Sequence, residues 1–511
     1  MDVLKKRLAL FCAILLLLVP LASCGTKPEE PKSTETATTN REEDSTEEIR
    51  NDVDDLPDDL DFEQHTIRLF SYVQSETVRE MLQEESEVNV VQDAMFKRNL
   101  NLEDRLNCRI EVYERVGDTN SNFITDEITN LINGGFDTYN IMTTAGYRMC
   151  AMAQLGHFAN LLDLPFINTE KDYYSQGYND ALSVGNAQYL LTGQFSLSYY
   201  RYMIGMFFNK NLFTDVGVEY PYQTVLNGDW DFHEVAELSA NFYIDLNGQG
   251  DVNVDDQFGY VMWAGSGSSL TDGYMASAGL RVVGKDGENF YVSDLSSTAN
   301  FSNAIDKILE MMYGDGSYTS STYFDVVGKF TAGTAALTSF RLFFLEETGM
   351  KNLGETKQGY GILPLPKSDS ETQDEYYSYI QDQCLLYAIP RTVGGAKRVE
   401  SSQFLEAYAS ESYQTVKSAY YERALTSRYA KDPESVRMLE IMESSTFFDP
   451  ANIYIGTAFK AFGTTELREM YASGTNTISS LLKGKRDLIV EEVIKLNQTF
   501  QELWKASEEA R

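Results

Sequence analysis

Residues 67–72 read IRLFSY, residues 109–113 read RIEVY and residues 139–143 read YNIMT, and each stretch has the composition of a β-strand. Apolar residues at helical spacing over 91–106 separate the first two strands, and a second helical pattern over 121–133 separates the next two. A strand–helix–strand–helix–strand order is typical of a mostly parallel sheet with helices packed on it. These stretches predict an α/β fold.

The pattern continues along the chain with a strand over 203–208, a helix from an Asp231 N-cap to about residue 243, and a helix over 303–313. The last hundred residues are predicted to be mostly helical, over 401–425, 433–445 and 484–507. We find no repeat of 20–50 residues. The expected fold class is therefore α/β with a helix-rich C-terminal portion.

Size and charge exclude several functions. A chain of 511 residues that is 43% hydrophobic can form a large core in two or more domains. A net charge of −35 argues against nucleic-acid binding and against electrostatic docking on an anionic membrane. Three His and scattered Cys exclude a Cys/His-rich zinc scaffold.

The N-terminus has the features of a secretion signal. Lys5, Lys6 and Arg7 precede an apolar run over 8–21 that is too short for a transmembrane helix. The following Leu-Ala-Ser-Cys at 21–24 resembles a bacterial lipobox, which implies cleavage before Cys24 and a diacylglycerol thioether on its sulfur. The alternative is an ordinary signal peptide with a chance Cys. Two acyl chains would anchor the protein stably at the extracellular face of the cell membrane.

Residues 24–63 are predicted to be an acidic, disordered tether. Positions 25–63 contain 15 acidic and four basic residues and few large apolar ones. Such a segment buries too little apolar surface to fold. Beyond it, Cys108, Cys150 and Cys384 are too widely spaced for a disulfide framework, so we expect buried, inert thiols.

One loop has the pattern of a calcium site. Residues 245–256 read DLNGQGDVNVDD, with oxygen-bearing side chains at loop positions 1, 3, 5, 9 and 12 and Gly at position 6, as in an EF-hand. A strand is predicted over 258–263, where an EF-hand has its second helix. We expect structural calcium, and a metal-free polar turn is the alternative. The candidate ligands are Asp245, Asn247, Gln249, Asp251, Asn253 and Asp256.

Aromatic residues are abundant, with 32 Tyr, 28 Phe and three Trp, and several are clustered. A sugar site pairs flat rings with polar side chains, because the C–H faces of a sugar are apolar and its hydroxyls need hydrogen bonds. Most such residues in any protein are packing residues. GxSxG, P-loop, HExxH and Rossmann glycine motifs are absent from the sequence. We expect His65, His157 and His233 to be surface or hydrogen-bonded core residues.

Taken together, these features resemble extracellular solute-binding protein family 1, the substrate-binding lipoproteins of carbohydrate-type ABC importers in Gram-positive bacteria. The resemblance runs over about 64–511 and rests on short pieces in the family's order: Leu161–Pro165, Phe207–Phe213, Asp245–Gly259, Phe330–Ala336 and Tyr360–Pro366.

The resemblance implies a two-lobed, hinge-connected, periplasmic-binding-protein-like fold of type II. We expect lobe one at 64–206 plus 338–386, lobe two at 207–337 plus 387–511, and crossings near 206–209, 335–338 and 386–390. A carbohydrate, we expect an oligosaccharide, would be held between the lobes of a monomer and passed to the ABC permease subunits. Membrane attachment would be through the lipid alone, and no catalysis is expected.

Candidate ligand-binding residues follow from topology, because ligands of open α/β sheets bind outside the carboxyl ends of the strands. They lie after the strand at 139–143, beside the crossings, and after the strand at 258–263. They are Thr144, Tyr147, Arg148, Tyr202, Trp263, Ser266, Phe340, Arg341, Phe343, Gln381 and Asp382.

Two other functions fit the same sequence. The first is a lipid-anchored surface glycoside hydrolase, since carboxylates are too numerous for sequence to exclude a catalytic pair. A solute receptor that signals instead of feeding a transporter would have the same sequence features. The identity of the ligand is not encoded in any motif.

Overall fold

The structure is a computed structural model. It describes residues 51–74, 79–81, 84–86, 89–117, 122–265, 267–293, 298–346, 348–354, 359–420, 433–454 and 465–509. The signal sequence with Cys24, the first part of the predicted tether and Ser266 lie outside the described residues. Of the helices that are described, none combines the length and the apolar character that crossing a lipid bilayer requires.

Strands and helices alternate along most of the chain. The strands are β1 Thr66–Val73, β2 Arg109–Val116, β3 Ile141–Ala145, β4 Ser183–Val184, β5 Ala187–Gln188, β6 Ile204–Asn209, β7 Phe258–Trp263, β8 Val283–Asp286, β9 Asn289–Val292, β10 Ser317–Ser320, β11 Ala335–Arg341, β12 Tyr360–Leu363 and β13 Leu385–Ala388.

The helices of the first three-quarters of the chain are short or of medium length. They are α1 Val90–Leu106, α2 Phe123–Asn133, α3 Gly146–Gln154, α4 Gln176–Leu182, α5 Leu197–Arg201, α6 Lys210–Val216, α7 Tyr222–Asn227, α8 Phe232–Ala240, α9 Asp272–Ser277, α10 Thr298–Tyr313, α11 Tyr323–Thr331 and α12 Thr348–Gly354. The C-terminal helices are α13 Gly395–Ser412, α14 Pro433–Ser444, α15 Pro450–Ile453, α16 Glu466–Ser473 and α17 Ile478–Glu509.

Local sequence explains several element boundaries. Asn209 ends β6 and caps α6, since its side chain accepts hydrogen bonds from the backbone N–H of Asn211 and Leu212. Asp231 caps α8 in the same way, as predicted, by accepting from the backbone of Glu234. A left-handed Gly217 ends α6. A strand that stops at a capping Asn therefore passes directly into the next helix.

The first sheet has the strand order β13-β3-β1-β2. β1 is parallel to both β2 and β3, and β13 is antiparallel to β3. The predicted strand–helix–strand–helix–strand unit is therefore confirmed. The carboxyl ends of β1 and β3 lie side by side, at Val73 and Ala145, and define one edge where a ligand can bind.

The second sheet has the order β10-β7-β11-β6-β12. β7 is parallel to β10 and β11, whereas β6 runs antiparallel to β11 and β12. The carboxyl ends of β7, β10 and β11 share one edge, which begins at Trp263, Ser320 and Arg341. Each sheet thus presents its own strand-end edge.

The two sheets are joined where three chain segments meet. The backbone N–H of Ile204 donates to the carbonyl of Tyr379, at 2.9 Å, and that of Leu342 donates to the carbonyl of Met203, at 2.8 Å. The backbone N–H of Gln381 donates to the carbonyl of Tyr202, at 3.0 Å. We call residues 202–204, 341–342 and 379–384 the crossing junction.

The predicted lobe boundaries stay a prediction, but three elements near them have a sheet membership or packing that the sequence did not indicate. β12 lies in the second sheet although 338–386 was assigned to lobe one, and β11 is followed by a strand of its own sheet, so the chain does not change sheets at 335–338. α13 packs against α1, beside the first sheet, although 387–511 was assigned to lobe two. Apolar strands on both sides of each crossing gave the sequence no marker for these boundaries.

The ordered body also begins before residue 64. Leu56 and Phe62 are buried, and Asp54 forms an ion pair with Arg105 of α1, with 2.6 Å between Oδ1 and Nη2. The acidic composition of 51–63 concealed these two apolar anchors. This end of the predicted tether therefore packs on the body.

Candidate functional site

A crevice lies at the strand-end edge of the first sheet. It is narrow, about 10 Å³, and is lined by Tyr72, Gln74, Ala145, Tyr202, Gln383 and Leu385, among others. The amide oxygen of Gln383 is buried and has no hydrogen-bond partner among the described residues. Buried polar atoms without partners are uncommon in folded proteins, so this oxygen marks a place where a ligand hydroxyl could donate.

The crossing junction forms one end of this crevice. The Arg341 guanidinium donates from Nη1 to the amide oxygen of Gln381, at 2.9 Å, and lies 5.4 Å from the centre of the Tyr202 ring. Tyr202 and Gln381 are both buried. Three predicted ligand residues are thus in contact, one from each crossing segment.

Asp382 adds a carboxylate beside these groups. Its backbone carbonyl accepts from the N–H of Tyr147, at 3.2 Å, which fixes it against the start of α3. Burial raises the pKa of the Asp382 carboxyl to about 6, while the guanidinium groups of Arg468 and Arg341 act in the opposite direction. Arg468 is itself paired with the buried carboxylate of Asp272 through two hydrogen bonds.

The other predicted residues of the first sheet have different surroundings. Thr144 is fully buried, and its hydroxyl donates to the backbone carbonyl of Tyr72 at 3.0 Å, which is a structural role. Tyr147 and Arg148 are partly exposed and stack on each other, with 5.1 Å between the guanidinium and the ring. Arg148 also donates to the side chain of Asn122, at 3.2 Å. Tyr147 and Arg148 therefore lie partly exposed at the start of α3, next to the strand-end edge.

The strand-end edge of the second sheet carries an aromatic cluster. Trp263, partly exposed, donates from its indole N–H to the carbonyl of Ser321 and meets Tyr323 edge-on at 5.4 Å. Tyr323 contacts Phe324 at 5.5 Å, and 77% of Phe324 is exposed. The exposed Phe324 ring, linked to Trp263 through Tyr323, offers an apolar face for a ligand.

Phe340 and Phe343 do not join that exposed surface. Phe340 is buried and stacks on Phe344 with 4.2 Å between the ring centres. Phe343 is partly buried and packs against the apolar cluster of the first sheet. Their rings face core residues because the turn at Leu342–Glu346, which follows β11, folds back on the body.

An ion pair fastens the same turn to the start of the first crossing. Arg201 of α5 donates from Nε to Glu346 at 2.7 Å and from Nη2 at 3.2 Å. Most of both side chains is removed from solvent. The pair holds the segment before β6 to the segment after β11.

Sequence reasoning missed Tyr72, Gln383, Tyr323 and Phe324. Gln383 adjoins two residues that were predicted, and only its buried, unpartnered oxygen distinguishes it. Tyr323 and Phe324 follow β10, a four-residue strand with no apolar run to mark it. Had β10 been recognised, the strand-end rule would have found both residues.

The loop at 245–256 folds around its own acidic side chains. The two carboxylate oxygens of Asp245 accept from the backbone N–H of Gly248 and Gly250, at 2.6 and 2.9 Å. Asp256 is fully buried, and its Oδ2 accepts from the backbone of Asn253 at 3.0 Å. Its Oδ1 has no hydrogen-bond partner among the described residues. Strand β7 follows, as predicted.

Other predicted ligands of the loop are not gathered as closely. The Asn247 side chain donates to that of Asn253 at 3.0 Å, and Gln249 and Asp251 are exposed. Among the described residues, no group of three or more His, Cys, Asp or Glu side chains is arranged to hold a metal ion. The buried Asp256 oxygen is the feature that fits a bound cation, which would need the amides and backbone carbonyls as further ligands.

Thiol and imidazole groups are placed as expected. Cys108, Cys150 and Cys384 are free and buried, and burial raises the pKa of the Cys108 and Cys384 thiols to about 12. His65 and His233 are exposed, whereas buried His157 is 3.0 Å from the Thr129 hydroxyl. These thiols are inert at neutral pH.

Three solved structures show the architecture of the chain. The GacH receptor of Streptomyces glaucescens, solved unliganded and with acarbose, is 14% identical, with a TM-score of 0.51 over 86% of this chain and 99% of that one. A sugar transporter from Rhizobium etli in an open conformation is 14% identical, with a TM-score of 0.53 over 84% and 98%. The galacto-N-biose/lacto-N-biose I-binding protein of an ABC transporter from Bifidobacterium longum is 13% identical, with a TM-score of 0.51 over 82% and 97%.

At sequence identities of 13–14%, the similarity to these structures is evidence for the fold alone. The chain has a two-lobed, periplasmic-binding-protein-like α/β fold with a helix-rich C-terminal portion, so the predicted fold class is confirmed. The similar structures are sugar-binding proteins. No protein-family model matches the sequence, and no curated protein sequence matches it.

The raised pKa of Asp382 predicts a pH-dependent stability. Because the folded state binds this proton more tightly than the unfolded state does, the stabilisation is complete below about pH 4 and is lost as the pH rises through about 6. Asp382→Asn removes the titration. We expect its free energy of unfolding, relative to the unmodified protein, to increase by about 1–2 kcal/mol between pH 4.5 and pH 8.

Urea unfolding of both proteins at the two pH values measures this difference. Glu371→Gln, which removes an exposed carboxylate, is the matched control for the loss of one negative charge. An Asp382→Asn difference that is the same at both pH values would show that the carboxylate is not destabilised by burial.

Proposed function

We propose that the protein is a non-enzymatic receptor that captures a carbohydrate between its two lobes and delivers it to the permease of an ABC importer. The observation that carries the proposal is the pairing of two strand-end edges across one crossing junction. The crossing junction, at the end of the first edge, supplies polar groups around Tyr202, Arg341 and Gln381, and the second edge supplies the exposed rings of Trp263 and Phe324.

The chemistry of the two edges suits a sugar. Pyranose C–H faces pack on flat aromatic rings, and ring hydroxyls need both donors and acceptors. Arg341 is a donor fixed in position by Gln381 and Tyr202, while Asp382 and the amide of Gln383 are acceptors. The fold shared with several sugar-binding proteins supports the same ligand class.

Closure around the ligand follows from the position of the groups. A ligand that touches both edges binds one arrangement of the lobes better than the other and shifts their equilibrium by that difference in affinity. We propose an oligosaccharide, because a ligand with several rings could place one ring on the aromatic cluster while the hydroxyls of another reach the polar crevice. The closed form would be the one that the permease recognises.

We expect a glycan panel to identify the ligand by thermal shift. A true ligand at a hundred times its dissociation constant stabilises the protein by about 2.7 kcal/mol, which corresponds to a rise in melting temperature of about 3–6 °C. Trp263→Ala removes a ring face and should weaken binding about tenfold. Phe136→Ala is the control and should bind normally, because Phe136 is an exposed ring that is distant in sequence from Trp263.

Two outcomes would contradict the proposal. Wild-type affinity in Trp263→Ala would remove the aromatic cluster from the site. Release of reducing sugar from a glycan that binds would mean that the protein is a glycoside hydrolase.

We further propose that Cys24 is lipidated and holds the protein at the extracellular face of the membrane. The lipobox at residues 21–24 supports this. Expressed in a Gram-positive host, the chain should partition into the detergent phase of Triton X-114 and incorporate labelled palmitate. Cys24→Ser should abolish both, and Cys384→Ser, at a buried thiol, should abolish neither. Labelling that persists in Cys24→Ser would refute the anchor.

We also propose that the loop at 245–256 binds structural calcium. The buried Oδ1 of Asp256 and the turn imposed by Gly248 and Gly250 support a cation at this position. The Lys329 ammonium donates to the backbone carbonyl of Val254, so part of the positive charge that Asp256 needs is already present. Bound calcium would supply the rest and fasten the loop to the start of β7.

Chelation tests this site. We expect EGTA to lower the melting temperature by several degrees, because an ion that binds only the folded state stabilises it by mass action. Calcium in excess should restore the loss, and magnesium should not. Asp256→Asn should abolish the EGTA effect, whereas Asp255→Asn, at the exposed neighbouring carboxylate, should keep it. A melting temperature indifferent to EGTA would favour the metal-free polar turn.

A further inference from the structure

A β-hairpin from the lobe of the second sheet reaches onto the lobe of the first sheet. It consists of β8 and β9, and it lies in the chain between α9 and α10. Both helices belong with the second sheet, since Tyr274 of α9 shares a hydrogen bond with Tyr260 of β7, and α10 packs on β7 and β10. We call residues 283–292 the strap.

The strap contacts a segment that is tied to the first sheet. This segment, residues 160–191, contains α4, β4 and β5. At its end, Leu191 exchanges two backbone hydrogen bonds with Tyr387 of β13, at 3.1 and 2.9 Å. At its start, the side chain of Asn160 donates to the carbonyl of Asn186 in the β4–β5 turn, at 2.9 Å. A contact between the strap and this segment therefore links the two lobes at a second place, apart from the crossing junction.

Lys285 of β8 makes the central contact. Its ammonium donates to the backbone carbonyl and to the carboxylate Oδ1 of Asp180 in the last turn of α4, both at 2.8 Å. It also donates to the hydroxyl of Ser183, at 2.6 Å. An ammonium has three N–H donors, so all of its hydrogen-bonding capacity is used here. Only 12% of the Lys285 side chain is exposed, so the charge is seated in the contact and does not merely lie over it.

A backbone hydrogen bond completes the contact, and the packing around it is loose. The N–H of Gly185, in the β4–β5 turn, donates to the carbonyl of Glu288 at the tip of the strap, at 2.6 Å. A cavity of about 110 Å³ remains beside this bond, lined by Asn186, Asn289 and Asn497 among others. A contact made by a few polar groups around a cavity can separate without exposing a large apolar surface.

The strap is held firmly at its base. The two carboxylate oxygens of Asp449, the N-cap of α15, accept from the backbone N–H of Val282 and Val283, at 2.6 and 3.2 Å. The side chain of Asn497 in α17 bonds to both the N–H and the carbonyl of Phe290, at 3.0 and 2.8 Å. Four hydrogen bonds thus fix the strap to two helices, so we expect it to move as a rigid arm.

The long helix α17 supports the strap and extends from one lobe to the other. Just before it begins, the side chain of Asn476 donates to the carbonyl of Ser302 in α10, at 3.0 Å. Near its end, the Phe500 ring stacks on Tyr189, with 5.7 Å between the ring centres. A rotation of the lobes at the crossing junction would move the strap and the end of α17 relative to α4. The strap contact therefore exists in some arrangements of the lobes and is broken in others.

We propose that the strap is a latch that favours the arrangement of the lobes in this structure, and that Lys285 in its three-acceptor seat is the end that releases. A ligand that binds another arrangement better has to provide the free energy that unseats this ammonium. The proposal deepens the function proposed above, because it names what sets the resting position of the receptor. Its test needs no ligand, so its failure is distinct from a failure of the sugar site.

Electron–electron double resonance on the purified full chain measures the arrangement of the lobes. Spin labels at Val399→Cys on α13 and Asn352→Cys on α12, both exposed, report one lobe each. Cys12 and Cys24 are replaced by Ser, and the other native thiols are buried. We expect one dominant distance in the protein with the native strap. Lys285→Glu places two carboxylates together and should raise the population of other distances about tenfold, since hydrogen bonds to a charged group are lost.

Exchange of the two charges distinguishes a latch from a general loss of stability. The double variant Asp180→Lys/Lys285→Glu restores opposite charges and should return the distances toward those of the native strap. Lys285→Met keeps most of the stem and should shift the distances in the same direction as Lys285→Glu, but less. Lys97→Glu is the matched control, because it breaks an ion pair with Asp93 within α1 alone, and should cause no shift.

Three results would overturn the proposal. The first is an unchanged distance distribution in both Lys285→Glu and Lys285→Met. The second is a shift that the charge exchange does not reverse. The third is an equal shift in Lys97→Glu, which would mean that the lobes respond to surface charge in general.

Discussion

The crossing junction is the constraint on which the rest of the structure depends. Backbone hydrogen bonds join residues 202–204, 342 and 379–381, so the two sheets are connected at the junction by main-chain contacts. β13, which follows the junction, pairs with β3 of the first sheet, and β6, which begins at it, pairs with β11 and β12 of the second. A rotation of one sheet against the other would therefore have to change the backbone at these residues.

The junction also explains how an acidic chain can offer a nearly neutral site. The chain carries a net charge of −35, but the charges at the junction are balanced locally. Arg468 is paired with Asp272, Arg201 with Glu346, and Arg341 lies near Asp382. A neutral sugar is bound by directional hydrogen-bond donors and acceptors, and a net charge at the site adds little to its binding. Paired charges supply such donors and acceptors without attracting ions from solution.

The fold was largely predictable from sequence, and the site only in part. Apolar periodicity located β1, β2 and β7 and the helices α1, α2 and α8, because long apolar patterns report burial directly. The lobe boundaries stay a prediction, and the sheet membership of β12 and the position of α13 were not foreseen, since partner choice between two sheets depends on contacts far apart in sequence. Of the predicted ligand residues, Tyr202, Arg341 and Gln381 come together, whereas Thr144 and Phe340 face the interior. No local pattern separates a strand-end side chain that faces solvent from one that turns inward.

Burial is what distinguishes the aromatic residues that can bind a ligand from those that fill the core. Tyr260, Tyr274 and Phe340 are buried, and the first two share a hydrogen bond, so their rings have no free face. In sequence Phe324 is one aromatic residue among many, but its side chain is 77% exposed and contacts Tyr323, which in turn contacts Trp263. Keeping such a ring in water is unfavourable in the free protein, and that cost is recovered when a ligand covers it. An exposed ring at a strand end is therefore stronger evidence for a binding surface than the abundance of aromatic residues, because abundance alone is explained by packing.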